Sequence, residues 1–220
     1  MTGFRLPNLT QRTAVIGRTG SGKTTFSAWL LSRAAFDVQP FVVFDFKHDE
    51  LLNSIPGHRV IGYKEIPKHP GVYLLQPTPH EKDEMEAYLW AVWKRERVGL
   101  YFDEMYSVPQ PLRGGALQAV FTQGRSKKIP VIGCTQRPAL VSRFLFTEAD
   151  FFATFHLSTK PDRDRVTDFD EGYIGLDLPK YHCRWYDVAE DFGCTLAPVP
   201  GDDVILETFQ RRLAPRTRHL

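Results

Sequence analysis

Residues 17–24 read Gly-Arg-Thr-Gly-Ser-Gly-Lys-Thr, and no other segment constrains the chain as strongly. The octet fits G-x4-G-K-[ST], with a short apolar run at residues 13–16 before it and an amphipathic pattern after it. Glycines let successive backbone N–H groups converge on phosphate oxygens, and the N-terminus of the following helix adds the positive end of its dipole. Lys23 then reaches the β and γ phosphates, and the Thr24 hydroxyl faces Mg²⁺. The loop predicts ATP and Mg²⁺ as ligands. Gly17, Arg18, Thr19, Gly20, Ser21, Gly22, Lys23, Thr24 and Thr25 form the phosphate cradle, with Thr24 also on the metal.

Short apolar runs alternate with helical patterns along the rest of the chain, the rhythm of βαβ units. Residues 13–16, 41–46, 72–75, 98–102, 130–134 and 151–157 read as strands, and Phe26, Trp29, Leu30 and Ala34 mark the helix after the loop. Between residues 81 and 97, Met85, Tyr88, Leu89, Val92 and Trp93 recur at helical spacing opposite a charged face. A further helix carries Leu117, Val120 and Phe121, a charged one spans 162–169, and residues 181–199 read as short strands with turns. These signals predict an α/β fold of the P-loop NTPase class, a mainly parallel sheet with helices on both faces. Residues 1–210 are expected to form a single domain, followed by a basic tail at 211–220 too polar and Pro-interrupted to pack.

Arg211, Arg212, Arg216 and Arg218 concentrate charge in that tail, and the rest of the chain holds 24 basic against 26 acidic residues. Any nucleic-acid surface must therefore be a local patch. No apolar run reaches the roughly 18 to 20 residues of a membrane span, and the N-terminus lacks the regions of a secretory signal, so the chain is expected to be soluble and intracellular. Cys134, Cys183 and Cys194 have neither even number nor metal-ligand spacing and are expected to be reduced packing residues.

The run Leu100-Tyr101-Phe102 ends in Asp103 and Glu104, two acids where a strand meets the sheet's C-terminal edge. Asp103 is the candidate metal residue, and Glu104 the candidate base that polarises the attacking water. Another buried run ends in Thr135 and Gln136, where Gln136 is placed to sense the γ-phosphate. Asp45 and Lys47 close the 41–46 run, and a local ion pair is the simplest reading of them.

Taken together, the loop at Gly17, Phe44-Asp45-Phe46-Lys47, Tyr101-Phe102-Asp103-Glu104 and Cys134-Thr135-Gln136-Arg137-Pro138 resemble the FtsK/HerA superfamily of DNA-pumping ATPases. The small size is most similar to the genome-packaging ATPases of tailless, internal-membrane phages. That resemblance implies a RecA-like (ASCE) core, a homo-oligomeric ring, commonly a hexamer, and DNA as substrate. It further implies a capsid or portal-vertex protein as partner, and a place in the host cytoplasm or at a packaging vertex of the virion. An arginine supplied to the neighbour's ATP site is also implied, and Arg125 in Gln123-Gly124-Arg125-Ser126-Lys127-Lys128 matches it. Arg125 precedes a strand of four or five residues, so at ~3.3 Å per residue it stands roughly 15 Å from its own nucleotide edge. Lys127 and Lys128 are alternatives for that role. Arg113 in the 107–115 loop and the Lys127-Lys128 pair are candidates for contact with DNA phosphates in a pore.

Three other classes share the phosphate loop: a nucleotide or small-molecule kinase, a virion-assembly or secretion motor resembling those of filamentous phages, and a nucleotide-gated scaffold without turnover. The sequence shows no Arg-rich lid or acceptor motif for the first and no membrane span for the second.

Overall fold

A computed structural model of the chain describes residues 3–109, 114–174 and 176–213. In chain order the strands and helices are β1 (Arg12–Ile16), α1 (Lys23–Arg33), β2 (Pro40–Phe44), α2 (Glu50–Asn53), β3 (Arg59–Ile61) and β4 (Gly71–Leu75). Then come α3 (Lys82–Arg95), β5 (Gly99–Phe102), α4 (Ala116–Gln123), β6 (Val131–Thr135), α5 (Phe144–Thr147) and β7 (Phe151–Thr154). The chain continues through α6 (Lys160–Thr167), β8 (Cys183–Asp187), β9 (Phe192–Leu196) and α7 (Asp202–Leu213).

Because side chains alternate along a strand, a run buried throughout must be covered on both faces. In β1, Ala14 and Ile16 enter one core while Val15 enters the other, and in β5, Leu100 and Phe102 part from Tyr101 in the same way. Met85, Tyr88, Leu89 and Val92 of α3, with residues of α4, α5 and α6, fill the first core. Phe26, Leu30 and Leu31 of α1, with Leu51 and Leu52 of α2 and Ile205 and Phe209 of α7, fill the second.

Among the described residues, one sheet of nine strands runs in the order β3-β4-β2-β5-β6-β1-β7-β8-β9. All pairs from β3 to β7 are parallel, and β8 and β9 extend it antiparallel. Register fixes what meets at the C-terminal edge. Ile16 at the end of β1 lies opposite Thr135 of β6 and Thr154 of β7, while Phe102 at the end of β5 lies opposite Phe44 of β2. With Phe102 opposite Gly133 of β6, the segments that follow β1, β6, β5 and β2, beginning at Gly17, Gln136, Asp103 and Asp45, emerge at the same edge of neighbouring strands.

Three strands rather than two separate α1 from β5. The extra one, β3, is three residues long with Arg59 and Val60 exposed at the sheet edge, too short for a hydrophobic period. The 41–46 run ends as a strand at Phe44, and the 151–157 run at Thr154. The C-terminal expectation needs correction. Arg211, Arg212 and Leu213 belong to α7 and do not form the start of an unpacked tail. Arg212 donates to the carbonyls of Ser32 at 2.8 Å and Ala34 at 2.6 Å, pairs with Asp37, and lies 4.5 Å over the Phe36 ring. It thus satisfies carbonyls left orphaned at the end of α1, which is what a cation at a helix C-terminus does well. Residues 214–220, with Arg216 and Arg218, lie outside the described residues, as does Arg113.

Phe209 is fully buried and packs against Phe36 with the rings tilted, 5.2 Å between centroids. Phe209→Ala is expected to destabilise the protein by about 3 to 5 kcal/mol, read by urea unfolding against the wild type. A loss under about 1 kcal/mol would show that α7 contributes little to the fold.

Candidate active site

The loop between β1 and α1 is shaped by close backbone packing. A Cβ on Gly17 would stand 2.6 Å from Cβ of Phe155 and 2.7 Å from Oγ of Ser21, so the chain leaves β1 where only glycine fits. Gly22 has φ 95°, a left-handed conformation that turns the chain into α1 as its N-cap. No side chain caps α1, and its first turn holds no acid. The initial N–H groups of an eleven-residue helix are thereby left to an anion. Lys23 folds back so that Nζ donates to the carbonyl of Arg18 at 3.0 Å. Burial lowers its pKa, opposed by the nearby Cys134 and Glu104.

Facing the loop, Asp103 and Glu104 are each 2% exposed. The Phe46 amide donates to Oδ1 of Asp103 at 3.2 Å, and Lys47 Nζ lies 3.4 Å from Oε2 of Glu104. Oδ2 of Asp103 and Oε1 of Glu104 are buried and have no hydrogen-bond partner among the described residues. Buried carboxylate oxygens left in this state are costly unless something else engages them. That observation fits a hydrated divalent cation held by Asp103 and Thr24 and a water addressed by Glu104.

Gln136 also reaches the loop, because the hydroxyl of Thr19 donates to its Oε1. Beside this contact a cleft of ≈ 300 Å³ is lined by Arg18, Thr19, Gln136, Arg137 and Asp162. The fold thus brings Gly17, Arg18, Thr19, Gly20, Ser21, Gly22, Lys23, Thr24, Thr25, Asp103, Glu104 and Gln136 to one sheet edge. Arg125 is not among them. It follows α4 at the opposite edge, where its guanidinium donates to Oδ1 of Asp150 at 2.6 Å. Lys127 is engaged within the same chain, 2.7 Å from Glu96 and 3.9 Å from the centre of the Trp93 ring.

Lys47 is the residue whose place the sequence left open. Its ion pair is with Glu104 and not with Asp45, which instead accepts from the Asp49 amide at 2.9 Å, Asn53 at 2.8 Å and Gln76 at 3.3 Å. Asp45 therefore ties the β2 end to α2. Phe155 and Tyr181, both packed on the loop's glycines, also went unnoticed, since only the tertiary fold brings them there. The three cysteines are free, with Cys134 and Cys183 buried.

Comparison with known proteins bears directly on this site. The family described as "Helicase HerA, central domain" matches residues 2–50, which include the loop. The chain is 37% identical over 221 residues to a protein named DNA packaging ATPase P9 of Enterobacteria phage PRD1, covering 94% of this chain and 95% of that one. The chain belongs to the FtsK/HerA-type packaging ATPases. As a member of that family it is a P-loop ATPase. Its fold matches the genome packaging NTPase B204 of Sulfolobus turreted icosahedral virus 2, solved with AMPPCP, at a TM-score of 0.70 and 17% identity, over 88% of this chain and 100% of that one. ATPases 2 and 3 of EccC from Thermomonospora curvata share it at a TM-score of 0.58 and 12% identity, over 91% of this chain and 42% of that one. The RecA-like core is thereby shown for this ATPase. No helix among its described residues is long and apolar enough to cross a membrane.

Burial pushes the Asp103 carboxyl up to about 7, against the opposing pull of Lys47 and the Phe46 amide. A carboxyl whose pKa is higher folded than unfolded stabilises the fold most below its unfolded value and loses that contribution as pH rises through its folded one. The melting temperature of the nucleotide-free ATPase, taken relative to Asp103→Asn, should therefore fall between about pH 4 and pH 7. Parallel profiles for the two proteins across that range would show that Asp103 ionises freely.

Proposed function

We propose that the chain is an ATP-driven DNA translocase that packages a viral genome into a preformed capsid. It works in the host cell as a homo-oligomeric ring, a hexamer by analogy with its superfamily, docked on a capsid or portal-vertex protein. The observation that carries this reading is the meeting of an uncapped phosphate-binding helix start with two buried, incompletely paired carboxylates at one sheet edge. The kinship with a protein named as a DNA packaging ATPase supports DNA packaging as the task that hydrolysis drives.

In this mechanism the loop amides and Lys23 hold the phosphates, and Thr24 with Asp103 would hold Mg²⁺. The ion, when bound, neutralises charge that develops on the phosphate oxygens. Glu104 accepts the proton of the attacking water through Oε1, while Lys47 steadies the other carboxylate oxygen. Gln136, hydrogen-bonded to Thr19, couples the loop to the end of β6 and senses the terminal phosphate.

Arg125 acts in trans on the neighbouring subunit's nucleotide. Its exposure and its place at the edge remote from its own loop support this. Leaving Asp150 does not strand that carboxylate, because Arg12 still donates to it from its backbone amide at 2.9 Å and its side chain at 3.4 Å. A cation inserted in this way is worth about 10³ to 10⁵ in rate.

The test is ATPase activity on DNA with mixed subunits. Arg125→Ala and Lys23→Ala proteins should each be inactive alone, and mixing them should restore part of the wild-type rate by pairing an intact loop with an intact arginine. Absence of rescue at every mixing ratio would count against the trans arrangement, and activity indifferent to DNA would count against translocation.

A further inference from the structure

The catalytic acids lie on one side of the phosphate loop only. In the sheet, β5 with Asp103 and Glu104 stands beyond β6 on one flank of β1, and β7, β8 and β9 stand on the other. A triphosphate whose terminal phosphate faces Glu104 therefore directs its nucleoside end toward the β7 to β9 flank. On that flank a slot of ≈ 240 Å³ adjoins the loop at Gly22. Its walls are Thr25 and Phe26 of α1, Phe155 after β7, Tyr181 before β8, and Pro198 and Pro200 between β9 and α7.

Tyr181 is the distinctive wall. It has φ 64°, a left-handed conformation that is costly for a bulky side chain and is found mainly where surrounding structure imposes it, often at ligand sites. It remains 46% exposed, and its ring edge lies 3.2 Å from where a Cβ on Gly22 would stand. Lys180 Nζ lies over the ring, 4.7 Å from its centre, and the ring lines the slot and is not part of the core. The remaining walls are the apolar rings of Phe26, Phe155, Pro198 and Pro200, with Val199 and the glycines Gly22 and Gly201. Apart from the Thr25 hydroxyl and the Tyr181 phenol, no lining side chain has a polar atom with which to read a base edge.

We infer that this slot holds the nucleobase by stacking it between Tyr181 and the facing prolines, and that it reads ring shape, not the hydrogen-bonding edge. Every base presents a π face, so selection by stacking tolerates a change of base where selection by hydrogen bonds does not. The ATPase is accordingly expected to accept purine triphosphates with little distinction between them. This assignment rests on the ATPase reading of the loop.

Equilibrium binding to the full chain with Mg²⁺ present tests it, using ATP, GTP and inorganic tripolyphosphate as probes. Wild type should bind ATP and GTP within about ten-fold of each other. Tyr181→Ala should weaken both by about ten-fold while leaving tripolyphosphate unchanged, and Tyr181→Phe should bind all three like wild type. Unchanged nucleotide affinity in Tyr181→Ala would overturn the slot while leaving the ATPase reading intact. A parallel loss of tripolyphosphate would mean that Tyr181 supports the loop and not the base. GTP binding about 100-fold weaker than ATP would refute selection by shape. Failure of wild type to bind any of the three would remove the phosphate site itself, and the slot with it.

Discussion

The structure turns on one electrostatic arrangement: an ammonium and two carboxylates held almost wholly out of water around a loop of backbone amides. Lys23 is 8% exposed, and Asp103 and Glu104 are 2% exposed, at the junction of β1, β5 and α1. Taking such groups from water is expensive, and their present partners, a carbonyl at 3.0 Å, an amide at 3.2 Å and Lys47 at 3.4 Å, leave donors and acceptors unused. The opposite pKa displacements of Lys23 and Asp103 have the same origin, since burial disfavours charge of either sign. A triphosphate with its cation would supply the missing counter-charges together. Groups fixed in advance of the reaction need little reorganisation when charge moves, which is how an enzyme lowers a barrier.

The parallel sheet makes that arrangement possible by acting as a ruler. Four neighbouring parallel strands, β2 and β5 ending two residues short of β6 and β1, present the loop, the acids, Gln136 and Asp45 along one edge, while the opposite edge presents Arg125 on Asp150. One subunit therefore offers a nucleotide site at one edge and an exposed guanidinium at the other. A polarity of this kind suits head-to-tail association, because a heterologous contact repeated around an axis closes a ring.

Much of the site was legible because its chemistry is local in sequence. The phosphate loop needs glycines, lysine and threonine at fixed offsets, and the acids directly follow a buried strand, so Gly17 to Thr25, Asp103 and Glu104 could be named from spacing alone. Gln136 followed from its place after a second apolar run. What escaped depends on distant contacts. Nothing in Lys47's neighbourhood announces Glu104, and Tyr181 reaches Gly22 only once β8 has paired with β7. The short edge strand β3 has no period to detect. The helix α7 was hidden by a charged composition, although Ile205 and Phe209 stand four residues apart on one face, and Arg212, read as part of a solvated tail, proves to cap α1.

We propose that Glu104, whose Oε1 is buried without a partner among the described residues, activates the water that hydrolyses the substrate held by the loop. Parallel measurement of Mg²⁺-ATP affinity and turnover in Glu104→Gln tests it most directly. The amide preserves shape but cannot take a proton, so affinity should stay near that of wild type while turnover falls by about 10² to 10⁴. Turnover equal to wild type would contradict the account, whatever the affinity.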